Sequence, residues 1–370
     1  MEKIAILTLP LHTNYGGNLQ AYALQNILSE LGYEACVLNF EKKEKFNYKK
    51  VVSKIKRVFF FREILYLEAV HNLFIKKNIN MTPTLYTAKD IKYYLQKNGI
   101  STVIVGSDQI WRKEYTMNLT MDMWVYFLYF ISSKDVKKVS YAASFGIDQW
   151  QFDDAMTQEI KTLLRDFEKI SVREDSAKKF CKEYLQLPSE HVLDPTMLVD
   201  IENYESLIRE VETDQSIKKC QGKIFSYVLD TSADKTEIQN MISHLLDKPL
   251  IHNKVLNFFQ QKKNTDERIN VGVENWLLAF KHCDYIITDS FHGTVFSILF
   301  KKQFVVLINQ QRGATRFTSL LNMFDLGDRI VNDKNNLNEE FLYKIDYDVV
   351  HRKLTELKKN SLKFLMSLKQ

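Results

Sequence analysis

One pattern recurs through almost the whole chain: a short apolar run, a turn rich in polar residues or glycine, then a helix-like segment. Lys3 to Leu9, Ala35 to Phe40, Thr102 to Val105, Lys138 to Ala142 and Ile170 to Val172 are such runs. So are Lys223 to Leu229, Pro249 to His252, the run closed by Ile286 and Ile287, and Phe304 to Ile308. Apolar runs this short, alternating with helices, are read as strands of a parallel sheet covered on both faces. The alternation predicts an α/β chain with doubly wound sheets. At 370 residues the pattern exceeds one small core and predicts two domains. Residues 201–222 are charged and helical without strand character, and make the natural connector. The expected division is a first domain over 1–200, a second over 223–345, and a closing basic helix over 346–370.

Open sheets of this kind bind ligands outside the carboxyl ends of their strands, so the turns are where function is to be sought. The fullest turn lies in Tyr285 to Leu307, YIITDSFHGTVFSILFKKQFVVL. Asp289 and Ser290 are both good helix N-caps, and Phe291, His292 and Gly293 open the helix that follows. A helix start offers free N–H groups and a positive dipole end to a phosphate or carboxylate. His292 stands at that seat, either as a residue that caps and packs locally or as an acid/base. The first turn, His12 to Gln20, holds Asn14, Gly16, Gly17, Asn18 and Gln20. It lacks the GxGxxG spacing of dinucleotide binding, but its glycines let a ligand approach the backbone. Asp108 and Gln109 follow the strand ending at Val105, Asp108 as helix cap or as base. Arg173 and Asp175 read equally as a surface pair or as ligand contacts.

The remaining composition narrows the class. Four cysteines without CxxC spacing suggest reduced thiols in a cytosol, not a disulfide frame or zinc site. The start, MEKIAILTLP, enters a strand directly and lacks the regions of a signal peptide. No stretch is long and apolar enough for a membrane-spanning helix; Met123 to Ile131 is too short and reads as a core or interfacial segment. A net charge of +5 does not by itself indicate nucleic acid, and none is expected as a partner. Residues 41–62 interleave nine Lys or Arg with Phe, Val, Ile and Tyr. That is the composition of a basic amphipathic segment lying on an anionic membrane, or of a surface helix packed on its own domain. No clustered His, Asp or Glu has metal-ligand spacing.

Seven pieces, in order along the chain, resemble the polysaccharide pyruvyl transferase family: NYGGNLQAYALQ from Asn14, VIVGSDQIW from Val103, SYAASFG from Ser140, SVREDSA from Ser171, LDPT from Leu193, TDSFHG from Thr288 and RFTSLL from Arg316. The resemblance implies two Rossmann-like domains facing across a cleft, similar to the GT-B glycosyltransferases. It implies phosphoenolpyruvate as donor substrate, no further cofactor, and a pyruvate ketal on a sugar of a surface polysaccharide such as an exopolysaccharide or capsule. The expected acceptor is a lipid-linked saccharide, and the expected place the cytoplasm, at the inner face of the membrane. Many members carry an arginine two residues before the histidine; here that place is Ser290. His292 is then the expected acid/base, with Asp108 a second candidate. Arg173, Ser290, Gly293, Arg312, Arg316 and Lys302 are candidates for the donor's anionic groups. Asn14, Gly16, Gly17, Asn18, Gln20 and Gln109 are candidates for the acceptor. A nucleotide-sugar glycosyltransferase and a non-catalytic saccharide- or membrane-binding relative are the alternatives.

Overall fold

The structure is a computed structural model. It describes residues 1–43, 62–120, 122–253, 268–308, 314–331, 337 and 345–369. The chain begins with β1 (Lys3–Leu7), α1 (Tyr15–Glu30), β2 (Glu34–Val37), α2 (Arg62–Asn78), α3 (Ala88–Asn98) and β3 (Thr102–Val105). It continues with α4 (Lys113–Leu119), β4 (Lys137–Ala143), α5 (Asp154–Arg165), β5 (Lys169–Val172), α6 (Asp175–Phe180) and β6 (Glu190–His191). Two helices, α7 (Ile201–Ile208) and α8 (Asp214–Cys220), precede the second sheet. That part runs β7 (Ile224–Tyr227), α9 (Ala233–Leu245), β8 (Leu250–His252), α10 (Val273–His282), β9 (Tyr285–Thr288), α11 (Phe291–Leu299), β10 (Gln303–Leu307), α12 (Thr315–Met323) and β11 (Ile330–Val331). A last helix is α13 (Tyr347–Met366).

The strand orders are β2-β1-β3-β4-β5-β6 and β11-β10-β9-β7-β8, and the pairings within both are parallel. Strands β1, β3, β7 and β9 are buried almost throughout, which is why they read as continuous apolar runs. Each sheet reverses direction beside its first strand, between β1 and β3 and between β7 and β9. Those are the switch points at which a crevice opens beyond the carboxyl ends. The two sheets bring these crevices face to face, as two parallel-sheet α/β domains of the GT-B kind.

Aromatic packing ties the domains together. Tyr15 of α1 stacks on Trp276 of α10, with centroids 5.3 Å apart, and its hydroxyl donates to the Val271 carbonyl at 2.7 Å. Tyr204 meets Phe296 edge-on at 5.0 Å. At the N-terminus of α6, Asp175 N–H donates to Ser319 Oγ of α12 at 3.1 Å. Helix α13 begins on the second domain, where Tyr347 donates to the carbonyl of Ser297 at 3.2 Å, and ends on the first, where Phe364 packs on Tyr141.

Met123–Phe127 forms a short 3-10 helix whose Met123, Val125, Tyr126 and Phe127 are buried, so this segment is core and not interfacial. Of the basic run 41–62, residues 44–61 lie outside the described residues. Among the described residues no helix is long and apolar enough to cross a membrane.

Candidate active site

Two helix N-termini meet where the crevices face each other. On the second domain, Ser290 caps α11 by accepting from Gly293 N–H at 3.3 Å. Asp289 does not share the cap, contrary to the sequence expectation. Its carboxylate accepts from Leu229 N–H at 2.6 Å, Asp230 N–H at 3.0 Å and the Lys235 ammonium at 2.6 Å, joining the turns after β7 and β9. Gly293 is required by close packing, since a Cβ there would lie 2.2 Å from Thr288 Oγ1. On the first domain, Asn14 caps α1 by accepting from Gly17 N–H at 3.1 Å. A Cβ on Gly16 would fall 1.9 Å from His292 Nδ1. The imidazole therefore rests on the first turn of α1, and only glycine leaves it room.

His292 is 9% exposed, and its Nε2 makes no hydrogen bond. The nearest carboxylate oxygen is Asp194 Oδ2, at 3.7 Å. Asp194 is the hub of a buried network. Its Oδ1 accepts from Thr196 N–H at 3.0 Å and Thr196 Oγ1 at 2.6 Å. Its Oδ2 accepts from Arg173 Nη1 at 2.9 Å and Ser107 Oγ at 3.2 Å. Burial alone would raise the Asp194 pKa; His292, Arg173 and Thr196 outweigh it and hold the carboxyl well below the usual range.

Arg173 carries three carboxylates around one guanidinium. Besides Asp194, Asp108 Oδ1 lies 3.7 Å away and Glu174 Oε2 4.0 Å away, and the guanidinium stands 4.4 Å over the Phe291 ring. Burial opposes its charge, but the carboxylates prevail and raise its pKa. Arg173 thus sits among carboxylates, with Nη1 bonded to Asp194 and with Nε and Nη2 making no hydrogen bond. Glu174 also accepts from Ser144 Oγ at 2.9 Å and Phe145 N–H at 3.0 Å, fixing the turn after β4. Arg316, in the first turn of α12, feels Arg173, Glu174, Asp108 and Tyr115; burial, and then Arg173, bring its pKa down to about 10. It stays charged at neutral pH.

Other expected residues fall elsewhere. Asn18 and Gln20 turn inward. Asn18 Nδ2 donates to the His12 carbonyl and lies 2.9 Å from His71 Nδ1. Gln20 Nε2 donates to Thr8 Oγ1 at 2.9 Å, and its Oε1 accepts from Ser107 N–H at 3.1 Å. Their amides hold the turns after β1 and β3, and both side chains are buried. Gln109 Oε1 accepts from Arg112 Nη1 at 3.0 Å and lies against Gly146, whose φ of +72° leaves no place for a side chain. Asp108 adopts a φ of +79°, and its Oδ1 accepts from Gln109 N–H at 2.8 Å. Lys302 is removed from the cluster altogether. It precedes β10, at the amino edge of the sheet, beside Cys220, Cys283 and Asp284, where burial lowers its pKa. Arg312 lies outside the described residues. Among the described residues no group of three or more His, Cys, Asp or Glu is placed to hold a metal ion. Asp194 and Glu174 received no role from the sequence, although the Leu193-Asp194-Pro195-Thr196 and Arg173-Glu174 turns were visible there.

A family model described as polysaccharide pyruvyl transferase matches residues 14–311. No curated protein matches the chain. Among solved structures it is similar to UDP-GlcNAc 2-epimerase from Neisseria meningitidis, bound to UDP-GlcNAc, with TM-score 0.58 and 9% identity over 100% of each chain. A putative UDP-N-acetylglucosamine 2-epimerase from Listeria monocytogenes gives 0.54 and 10%, over 96% of this chain and 91% of that one. UDP-GlcNAc 2-epimerase from Methanocaldococcus jannaschii, in complex with UDP-GlcNAc and UDP, gives 0.51 and 14%, over 100% and 99%. At these identities the likeness is one of fold.

Proposed function

Because the chain belongs to the polysaccharide pyruvyl transferase family, we propose that it moves pyruvyl from phosphoenolpyruvate to a pair of sugar hydroxyls as a cyclic ketal. The observation that supports this most is His292, held at the N-terminus of α11 and pressed against Gly16 at the N-terminus of α1. One acid/base group and two converging positive helix ends are what the reaction requires.

The donor's methylene carbon takes a proton from His292, which leaves an oxocarbenium-like centre at the carbon bearing phosphate. One acceptor hydroxyl adds there and gives its proton to the imidazole. A second hydroxyl then displaces phosphate, its proton leaving with the phosphate as hydrogen phosphate, and the ring closes. The charged groups of the donor are met by Arg316 and by the N–H groups at the starts of α1 and α11. Arg173 orients Asp194, Asp108 and Phe291, and its Nε and Nη2, which make no hydrogen bond, remain candidates for the donor. Asp194 positions His292. Asn14, Gly16 and Gly17 form the first-domain wall toward the acceptor, with Asp108 as the second base candidate. The acceptor is proposed to be a lipid-linked saccharide used in building surface polysaccharide. The basic, apolar composition of 41–62 supports work at an anionic membrane surface.

The experiment follows melting temperature with phosphoenolpyruvate beside a panel of nucleotide sugars, then phosphate release with candidate acceptors in the presence of a chelator. A ligand of the folded state raises the melting temperature by mass action. Stabilisation by phosphoenolpyruvate, and phosphate release that the chelator leaves intact, are expected. The neighbours bound to UDP-GlcNAc motivate the second reading, a nucleotide-sugar transferase, which expects stabilisation by the nucleotide sugar alone. Binding without turnover of any acceptor would favour a non-catalytic relative.

A further inference from the structure

Helix α6 starts directly after Arg173 and Glu174, and it has no cap from its own domain. Glu174 holds the N-cap position, but its side chain makes no capping bond. Its Oε1 is taken by Ser144 Oγ and Phe145 N–H. A helix start leaves N–H groups that need an acceptor. Here the acceptor comes from the other domain. Ser319 of α12 is buried, and its Oγ accepts from Asp175 N–H at 3.1 Å and donates to Asp175 Oδ2 at 3.3 Å. The Asp175 carboxylate is held from a second side, since its Oδ1 lies 2.9 Å from His191 Nδ1. His191 Nε2 in turn lies 3.0 Å from the Arg173 carbonyl. An unbroken chain of contacts thus runs from the Arg173 backbone through His191 and Asp175 to Ser319.

That chain ends one helical turn from the second guanidinium of the site. Arg316 and Ser319 are both buried in α12 and share a face of it, at the i and i+3 positions. Arg316 and Arg173 are like charges in each other's field: after burial, Arg173 is what pushes the Arg316 pKa down. Two guanidiniums in that relation repel, and they keep their spacing only where the backbones that carry them are tied. An anion beside both relieves the repulsion, and it gains most where the spacing is set in advance. Arg173 Nε and Nη2, buried and without a hydrogen bond, are donors for such an anion.

We propose that Ser319 is a positioning residue: by capping α6 across the domain boundary, it fixes the spacing of Arg316 and Arg173 at which an anionic group of the donor binds. Ser319 acts through Arg316 and does not itself touch the donor. This rests on the reading of Arg316 as a donor contact. It also gives Asp175 and His191 a place in the site, as the links that carry the tie back to Arg173.

The test is a calorimetric titration of the full chain with phosphoenolpyruvate, inorganic phosphate and pyruvate, for the wild type, Ser319→Ala, Arg316→Ala and the double variant. Ser319→Ala should weaken binding of phosphoenolpyruvate by about tenfold, the scale of one hydrogen bond, and raise its KM with kcat unchanged. In the Arg316→Ala background the same change should add nothing, because both act through one contact. Ser319→Thr, which keeps a capping hydroxyl, should restore affinity. Whichever of phosphate and pyruvate shows the same coupling is the group of the donor held there. A role in stability alone would lower the melting temperature and leave anion affinity as it was. If Ser319→Ala folds poorly, Ser319→Cys, a weaker acceptor of similar shape, is read in the same way. Unchanged affinity in folded variants, additive effects of the two changes, or a wild type that binds none of the three anions overturns the proposal. Coupling without pyruvyl transfer leaves the positioning role standing and removes the reading of the reaction; transfer without coupling does the reverse.

Discussion

At the scale of single residues, the site pairs one histidine that makes no hydrogen bond from Nε2 with a carboxylate bound on all sides. His292→Ala should reduce turnover by roughly 10²–10⁴ with the fold intact; near-normal phosphate release by a well-folded variant would remove its acid/base role. Two of the expected donor cations now separate. Arg316 faces the charged cluster, and Lys302 sits at the other end of the sheet. Arg316→Ala should raise the KM for phosphoenolpyruvate by a factor of about 10–100, the scale of one charge-assisted contact. Lys302→Ala should leave it unchanged, and equal effects from both would contradict the geometry. The sequence showed His292 because a turn with Asp, Ser, His and Gly between two apolar runs is local information. It did not show that Arg173 is ringed by carboxylates. That depends on Asp108 and Asp194 arriving from two other turns, and no spacing records such a meeting.

At the scale of elements, strands were the legible part. Short buried runs lie within two residues of their predicted starts because each is a contiguous stretch of apolar side chains. Helix α2 was not foreseen, although Ile64, Leu67, His71, Phe74 and Ile75 recur at helical spacing along one buried or half-buried stripe. His71 is fully buried in that stripe. Burial lowers its pKa to about 4, so it stays neutral in the fold, with Nδ1 2.9 Å from Asn18 Nδ2. The unfolded chain binds a proton at His71 below about 6.5, which the folded chain refuses until near 4. Its contribution is present above about pH 6.5 and lost as pH falls toward 4, on the order of 3 kcal/mol in all. Urea midpoints from pH 7.5 to 4.5 should therefore fall for the wild type by more than for His71→Gln, whose side chain can still accept from Asn18. Parallel pH profiles would show that His71 titrates normally.

At the scale of the whole molecule, two domains joined by a connector would ordinarily be expected to move and to melt apart. This chain has reasons to do neither. One buried apolar cluster runs without a break from Ile4, Leu19 and Leu24 in the first domain through Trp276, Phe296 and Phe304 in the second. Tyr15 is wedged between them by stacking and by its bond to Val271. Helix α13 spans the joint, and its Ser361 Oγ accepts from Leu193 N–H at 3.0 Å, next to Asp194. The strap that fastens the domains thus also steadies the network behind His292. Breaking the interface would expose aromatic rings, each burying about 150–250 Å². Calorimetry should accordingly give a single cooperative transition, with calorimetric and van't Hoff enthalpies equal. Phe364→Ala, at the far end of the strap from the second domain, should lower stability by about 3–5 kcal/mol and shift that one transition as a whole. Two resolved transitions in the wild type, or a Phe364→Ala variant in which only part of the heat absorption moves, would mean that the domains fold as separate units and that the strap does not couple them.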